Sequence, residues 1–354
     1  METKGFLQVI WLVAFLAFAT VSCWATAESL SLLLSTWPKV LCWVVTIGFF
    51  IIASVGTKMI VDSLNQNIYI ERRGIRLIGG IIILVIFWLF CSMPTNTHTF
   101  IYRSLITDKV TGDISATQGY LSQIAGNTVN MRKAQREEET LCRQVDMLLG
   151  ELGEEIQNEL NPGFGPKAIE IFNRFASLLG VAKIEPLNAR AVSSQERQTL
   201  INSYRTKFYE LRDKRILDIR LRAEQAGPTI DNRREAAKAT EALNQLQVAI
   251  AQGKVDLNDA NGIKSVCDNL SAAYMSVKKN KEFVEFGSDA DKIVYTAVNP
   301  VTKVKRMISV FDVWNDFLKG EFSGHGFVFW ILISILVDVA AFIFFDLAFM
   351  KTDY

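Results

Sequence analysis

The segment that most constrains the fold of this chain is its last long apolar run, from Gly326 to Met350. It contains about 25 residues without Lys or Arg, so a helix formed from it is long enough to cross a bilayer. Two acids interrupt the run: Asp338 lies at its centre, and Asp346 lies about one helical turn before its C-terminal end. A charged side chain at the bilayer midplane is costly, which makes Asp338 the first candidate for a functional residue.

Three further apolar runs precede the middle of the chain, and they cover residues 6–27, 40–61 and 77–93. The first run has the layout of a signal peptide, because Lys4 precedes it and small residues end it. It is long for a signal-peptide core, so we expect a retained membrane span. The third span is expected to end at Pro94, since proline removes a helical hydrogen bond.

Charges between the spans predict the topology. Arg72, Arg73 and Arg76 form the densest basic cluster in any short loop, which places that loop in the cytoplasm. Counting the crossings then places both termini in the cytoplasm and residues 94–325 outside an inner, or cell, membrane. Several bases also flank the membrane on that outer side, so the inverted topology stays open as an alternative.

The middle of the chain is charge-rich, but its acids and bases nearly balance, which gives no sign of a nucleic-acid-binding surface. Ser193 and Glu196 form a candidate capping box for one helix of this region. Residues 283–299 are less regular and predict a short hairpin. Apolar residues elsewhere recur at helical spacing, as in the stripe Leu141, Val145, Leu148, Leu152 and Ile156.

These patterns predict an all-α membrane protein with four transmembrane helices and a large helical-bundle or coiled-coil domain inserted between the third and fourth spans. Residues 1–93 form three spans with short loops. Residues 94–325 form the helical, extracytoplasmic domain. Residues 326–354 form the last span and a short tail.

Asp338 has two interpretations. It is either a group that couples to protons or ions or assembles subunits, or a neutral acid bonded to Ser, Thr or backbone of a neighbouring span. The first and third spans carry no charge in their interiors, so a second copy of the chain is a reasonable partner. Asp346 differs, because Lys58 on the second span reaches a similar depth and predicts a structural ion pair. Separate contacts of both side chains with the cytoplasmic headgroups are the alternative.

Cys142 and Cys267 are the only cysteines of the middle region. They could form one disulfide if that region faces an oxidising compartment, or remain two unpaired thiols. None of the five cysteines has a metal-binding spacing, and His98 and His325 are expected to be interfacial side chains rather than metal ligands. We therefore predict no metal and no cofactor.

Motifs of hydrolases, kinases and nucleotide-binding enzymes do not occur in the sequence, so no catalytic residue is assigned. We expect a non-enzymatic structural or regulatory component of an envelope membrane complex. Its partners are the lipid bilayer and either further copies of itself, as a homo-oligomer, or other membrane subunits; no nucleic acid is expected. An oligomeric ion or proton pathway through Asp338 and a cytoplasmic helical sensor in the inverted topology are the alternatives.

Overall fold

The computed structural model describes residues 2–65, 69–158, 165–187, 191, 193–322 and 326–349, with side chains from residue 6 onward. Every regular element in these ranges is helical, so the hairpin predicted in residues 283–299 is wrong; a 3₁₀ turn at Lys281–Phe283 and a short helix occupy that stretch. The α-helices are α1 Glu2–Leu33, α2 Lys39–Leu64, α3 Arg73–Phe87, α4 Met93–Ala125, α5 Thr128–Gln157, α6 Pro166–Leu179, α7 Ser194–Gln225, α8 Ile230–Ala251, α9 Ala260–Lys279, α10 Asp289–Thr296, α11 Lys303–Ile308, α12 Val310–Leu318 and α13 Phe327–Ala348.

Four of the described helices are long and apolar enough to cross a membrane, which confirms the predicted number of spans. They are α1 from Phe6, α2, the continuous helix Arg73–Ala125 that joins α3 to α4, and α13. Apolar side chains on these helices are widely exposed in the protein itself, as with Val40 at 71% and Phe90 at 80%. Such exposure on long apolar helices is what lipid contact requires.

The third span does not end at Pro94, and that prediction is wrong. A π-helical turn, Trp88–Ser92, joins α3 to α4, and the amide of Met93 donates to the carbonyl of Trp88. Proline is tolerated within a membrane helix when such a local adjustment satisfies the backbone groups around it. The helix therefore continues past Pro94 to Ala125.

Internal contacts divide the chain into two compact units, and both take residues from the stretch between the third and fourth spans. The predicted division at residues 93/94 and 325/326 stays a prediction. Unit 1 comprises Met1–Thr117, Glu241–Tyr274 and Ala297–Tyr354, and unit 2 comprises Gln118–Thr240 and Met275–Thr296.

Within unit 1, the membrane helices pack through aromatic side chains and glycines. Phe50 of α2 stacks on Phe342 of α13 with ring centroids 5.5 Å apart, and it meets Phe87 of α3 edge-on at 5.8 Å. A side chain added at Gly80 would lie 2.7 Å from the carbonyl oxygen of Gly56. The backbones of α2 and α3 therefore approach as closely as small residues permit in membrane helix pairs.

Unit 2 has an apolar core between α5, α6 and α7. Phe175 and Phe208 stack with centroids 3.7 Å apart, and both are fully buried. Ser193 caps α7 in a complete capping box with Glu196, as predicted. The predicted stripe on α5 is also confirmed, because four of its members are buried and the fifth, Ile156, packs against them.

Candidate functional site

Asp338 is almost completely buried among three membrane helices, with 1% of its surface exposed. The hydroxyl of Ser22 on α1 donates to Oδ1 at 2.6 Å, and the hydroxyl of Ser92 in the π-helical turn donates to Oδ2 at 2.5 Å. Both carboxyl oxygens thus find neutral donors on the first and third spans. These contacts agree with the second interpretation of Asp338, a carboxyl group bonded to serines of neighbouring spans, while a second copy of the chain as partner stays a prediction.

A second layer of side chains holds these donors. The Asn96 side-chain amide donates to Ser22 Oγ at 3.0 Å and to Ser92 Oγ at 2.9 Å, while its own oxygen accepts from Thr26 Oγ1 at 2.9 Å. Thr95 Oγ1 lies 3.0 Å from Thr26 Oγ1. All six residues, Ser22, Thr26, Ser92, Thr95, Asn96 and Asp338, are buried, and we call them the intramembrane polar cluster.

Helical spacing explains why these residues meet. Ser22 and Thr26 are four residues apart on α1, and Ser92 and Asn96 are four apart on the third span, so each pair lies on one helix face. Small polar side chains let membrane helices approach closely and bond across the contact. The sequence reasoning missed these residues, although two polar pairs at helical spacing beside apolar spans were the available signal.

Ser334 lies one turn before Asp338 on α13 and is fully buried. Its hydroxyl has no hydrogen-bond partner in the part of the chain that the structure describes. An unsatisfied hydroxyl in an apolar setting costs about 1–3 kcal/mol. Such a group in a native protein calls for an explanation, for example a water or ion beside it.

The same helix that carries Ser92 and Asn96 bears a buried histidine. His98 has no exposed surface; its Nδ1 lies 2.8 Å from Ser29 Oγ, and its Nε2 lies 2.9 Å from the carbonyl oxygen of Met307. Because a carbonyl can only accept, Nε2 carries a proton; complete burial favours the neutral ring, whose Nδ1 then accepts from Ser29. His98 is therefore buried inside the protein; its depth at the membrane interface stays a prediction, and His325 lies outside the described residues.

Farther along α4, two more buried side chains bond to segments that follow in the chain. The hydroxyl of Tyr102 donates to the carbonyl oxygen of Leu257 at 2.5 Å. Asp113 accepts from the Tyr274 hydroxyl at 2.5 Å and from the backbone amide of Val304 at 3.3 Å. Together with His98, these are the α4 outer contacts, and all lie within unit 1.

Lys58 does not form the predicted pair with Asp346 among the described residues. It forms an ion pair with Asp62, one turn away on α2, with a distance of 3.4 Å. Its ammonium also donates to the carbonyl oxygen of Phe349 at 3.3 Å, just beyond the end of α13. The estimate that Lys58 reaches the depth of the last turn of α13 is thus supported, but its partners are Asp62 and a backbone carbonyl.

Cys142 belongs to unit 2 and Cys267 to unit 1, and both are free thiols in the structure. Burial raises the pKa of the Cys267 thiol to about 12, which keeps it protonated at neutral pH. A disulfide between the two stays a prediction.

Among the described side chains, no group of three or more His, Cys, Asp or Glu residues is placed to hold a metal ion. Comparison with protein-family models, with curated proteins and with solved structures finds no match to this chain.

Proposed function

We propose that this chain is a non-enzymatic structural or regulatory component of an envelope membrane complex. In this proposal it lies in the inner membrane with both termini in the cytoplasm, and residues 94–325 form a helical interaction domain outside. It assembles as a homo-oligomer or with other membrane subunits, and it passes a change of state between its spans and the helices outside.

One observation carries the proposal: the third span and α4 form one continuous helix. Buried side chains form hydrogen bonds to other segments at two successive positions along this helix. Ser92 and Asn96 belong to the intramembrane polar cluster at one level. His98, Tyr102 and Asp113 form the α4 outer contacts at the next.

A helix that is held by hydrogen bonds at both levels can transmit a shift from the polar cluster to the helices that contact α4. Buried hydrogen bonds to specific partners hold one helix position, because any shift leaves donors and acceptors unsatisfied. Movement of α4 at the polar cluster would therefore also strain the hydrogen bonds that α4 forms with Met307, Leu257 and Tyr274. Packed elements of this kind change between discrete arrangements instead of deforming gradually.

Hydrogen exchange of the full-length protein in nanodiscs tests the coupling. Replacing Asp338 with Asn exchanges one acceptor oxygen for a donor at the point where Ser22 and Ser92 meet. We expect faster amide exchange not only around the substitution but also in α11 and in the part of α9 near Tyr274. Asp346→Asn, on the same helix but outside the cluster, is the matched control.

Unchanged exchange in α9 and α11 of the Asp338→Asn protein, with altered exchange in α1 and α13, would refute transmission through α4. Complex formation is tested separately by cross-linking in native membranes followed by purification. Recovery of an uncross-linked monomer alone would contradict membership of a complex.

An ion or proton pathway is a second candidate, and it is favoured by the buried hydroxyl of Ser334, which has no hydrogen-bond partner among the described residues. That hydroxyl is one turn from Asp338. The hydroxyls of Ser22 and Ser92 bond to Asp338, and that of Thr26 bonds to Asn96, so the cluster contains several groups with exchangeable protons. In reconstituted vesicles, Asp338→Asn should then change proton or sodium flux, whereas Asp346→Asn should not. Equal flux in all three proteins, or none, would eliminate the pathway.

Topology is tested by labelling single cysteines in intact cells. Met147 lies in unit 2 and is 54% exposed, so Met147→Cys in a cysteine-free chain gives an accessible thiol. Reaction with a membrane-impermeant maleimide from outside is expected. Reaction only after the cells are permeabilised would establish the inverted topology and a cytoplasmic helical domain.

A further inference from the structure

A cavity of about 530 Å³ opens in unit 1 beside the C-terminal end of α1. Its walls come from Leu32 and Leu33 at the end of that span and from α9, α11 and α12. This volume is within the range of small-molecule binding sites, which is about 300–1,000 Å³.

The charged side chains around this cavity are balanced in sign, and they form no ion pairs among the described residues. Lys264 and Lys305 supply two positive charges, and Asp268 and Asp312 supply two negative charges. None of the four forms an ion pair within 4.0 Å with any other described residue, although many charged side chains of the protein do. Apolar side chains, including Ile263 and Ile308, complete the lining.

The position of the cavity specifies the kind of molecule that can reach it. Leu32 and Leu33 are the last residues of a membrane-spanning helix, and the next helix begins at Lys39. Trp37, in the connection between them, is 47% exposed, as expected for an aromatic side chain at the headgroup level. If α1 crosses the bilayer as its length and composition indicate, the cavity lies where this span ends, near the depth expected for phospholipid headgroups.

We propose that this cavity binds a membrane phospholipid whose headgroup carries both a phosphate and a primary ammonium, the phosphatidylethanolamine class. The lysines are the partners of the phosphate, and the aspartates are the partners of the ammonium, which has three N–H donors. The apolar wall at the end of α1 contacts the glycerol and the first methylenes of the acyl chains.

The same charges disfavour the other common headgroups. A purely anionic headgroup, such as that of phosphatidylglycerol, would leave Asp268 and Asp312 facing a phosphate without a cation between them. A choline headgroup would bring a positive charge but no N–H donor for the carboxylates. We expect the order ethanolamine, then choline, then glycerol headgroup.

Native mass spectrometry of the full-length protein in detergent measures this order. Dioleoyl lipids with the three headgroups are added at equal concentration, and soluble glycerophosphoethanolamine is added in a parallel series. We expect the ethanolamine lipid to bind about tenfold more tightly than the glycerol lipid, which corresponds to about 1.4 kcal/mol. Displacement of the lipid by equimolar glycerophosphoethanolamine would overturn the proposal in favour of a soluble ligand.

Charge variants link the binding to this cavity. Lys305→Ala should weaken binding of the ethanolamine lipid about tenfold. The double change Asp268→Asn and Asp312→Asn should instead reverse the preference towards the glycerol lipid, a gain that a misfolded protein cannot show. Lys254→Ala and Asp108→Asn change exposed residues of unit 1 outside the cavity and serve as matched controls.

Two results would overturn the proposal. The first is equal binding of the ethanolamine and glycerol lipids, or no binding of either, by the unmodified protein. The second is a charge variant that binds like its control, since the lipid would then be held elsewhere.

Discussion

The membrane helices of unit 1 and the core of unit 2 are held together by different forces. In the first, the Asp338 carboxyl group accepts from the hydroxyls of Ser22 and Ser92, and two glycines bring α2 and α3 into contact. In the second, Phe208 stacks on Phe175 and meets Phe172 edge-on in an apolar core.

The difference follows from the solvent of each region. In water, removal of apolar surface drives folding, so aromatic side chains contribute most where they are buried. In a bilayer, the lipid is as apolar as the side chains, so helices associate through close packing and hydrogen bonds. The two regions should therefore respond differently to loss of an apolar side chain and to loss of a polar one.

The largest effect is expected in the core of unit 2. Phe208→Ala removes a fully buried ring that stacks on Phe175 at 3.7 Å, and it should lower the free energy of unfolding by about 3–5 kcal/mol. Hydrogen exchange in α5 and α6 of the full-length protein measures it. Leu217→Ala, at a site on the same helix that is 59% exposed, should change exchange little. Similar effects of both substitutions would contradict the described core.

A smaller effect is expected where α2 meets α3. Gly80→Ala places a methyl group 2.7 Å from the Gly56 carbonyl oxygen, so the helices must separate at a cost of about 1–3 kcal/mol. All seven tryptophans lie in unit 1, so their fluorescence during denaturant titration in micelles reports its unfolding. Gly48→Ala, which meets open space on α2, is the control. A Gly80→Ala protein as stable as this control would refute the contact.

The polar cluster should contribute about 1–2 kcal/mol. Asp338→Ala leaves the hydroxyls of Ser22 and Ser92 without their acceptor, and each bond in a membrane helix pair is worth about 0.6 kcal/mol on average. The same fluorescence titration measures the loss. Asp346→Ala, on the half-buried surface of α13, should lie within error of the unmodified protein. If Asp346→Ala is the more damaging change, the cluster does not hold the spans.

The smallest effect is expected at the start of α7. Ser193→Ala removes the hydroxyl that accepts from the Glu196 amide at 3.2 Å, at a cost of about 1 kcal/mol. Exchange of the first-turn amides of α7 should accelerate. Ser203→Ala, at an exposed position within α7, should be neutral or slightly stabilising because alanine favours helices. Equal exchange rates in both variants would argue against the cap.

Much of the helical architecture could be predicted from the sequence, because strong local signals specify it. Long apolar runs with few charges predicted the spans, a three-to-four spacing predicted the buried face of α5, and Ser193 with Glu196 predicted a helix start. Each of these signals lies within one segment, so it can be interpreted without knowing which other segments that segment contacts.

The partners of Asp338 could not be predicted, because they come from distant parts of the chain. Ser22 and Ser92 lie 316 and 246 residues away from it, and serine hardly changes the hydropathy of a span. Pro94 also misled the prediction, since the rule for proline assumes a regular α-helix, whereas a π-helical turn precedes this proline. Lys58 was placed at the right depth, but depth alone did not identify Asp62 as its partner.

The π-helical turn also determines where this chain tolerates a change in length. An α-helix advances about 100° and 1.5 Å per residue, so a deletion between Asn96 and Asp113 would turn one set of buried side chains away from its partners. A π-helical turn already holds one residue more than a regular turn. Loss of one residue between Trp88 and Cys91 would convert it into an α-helical turn and leave both flanking helices in phase. The third span can thus lose one residue in this turn without rotating α4 against the helices it contacts.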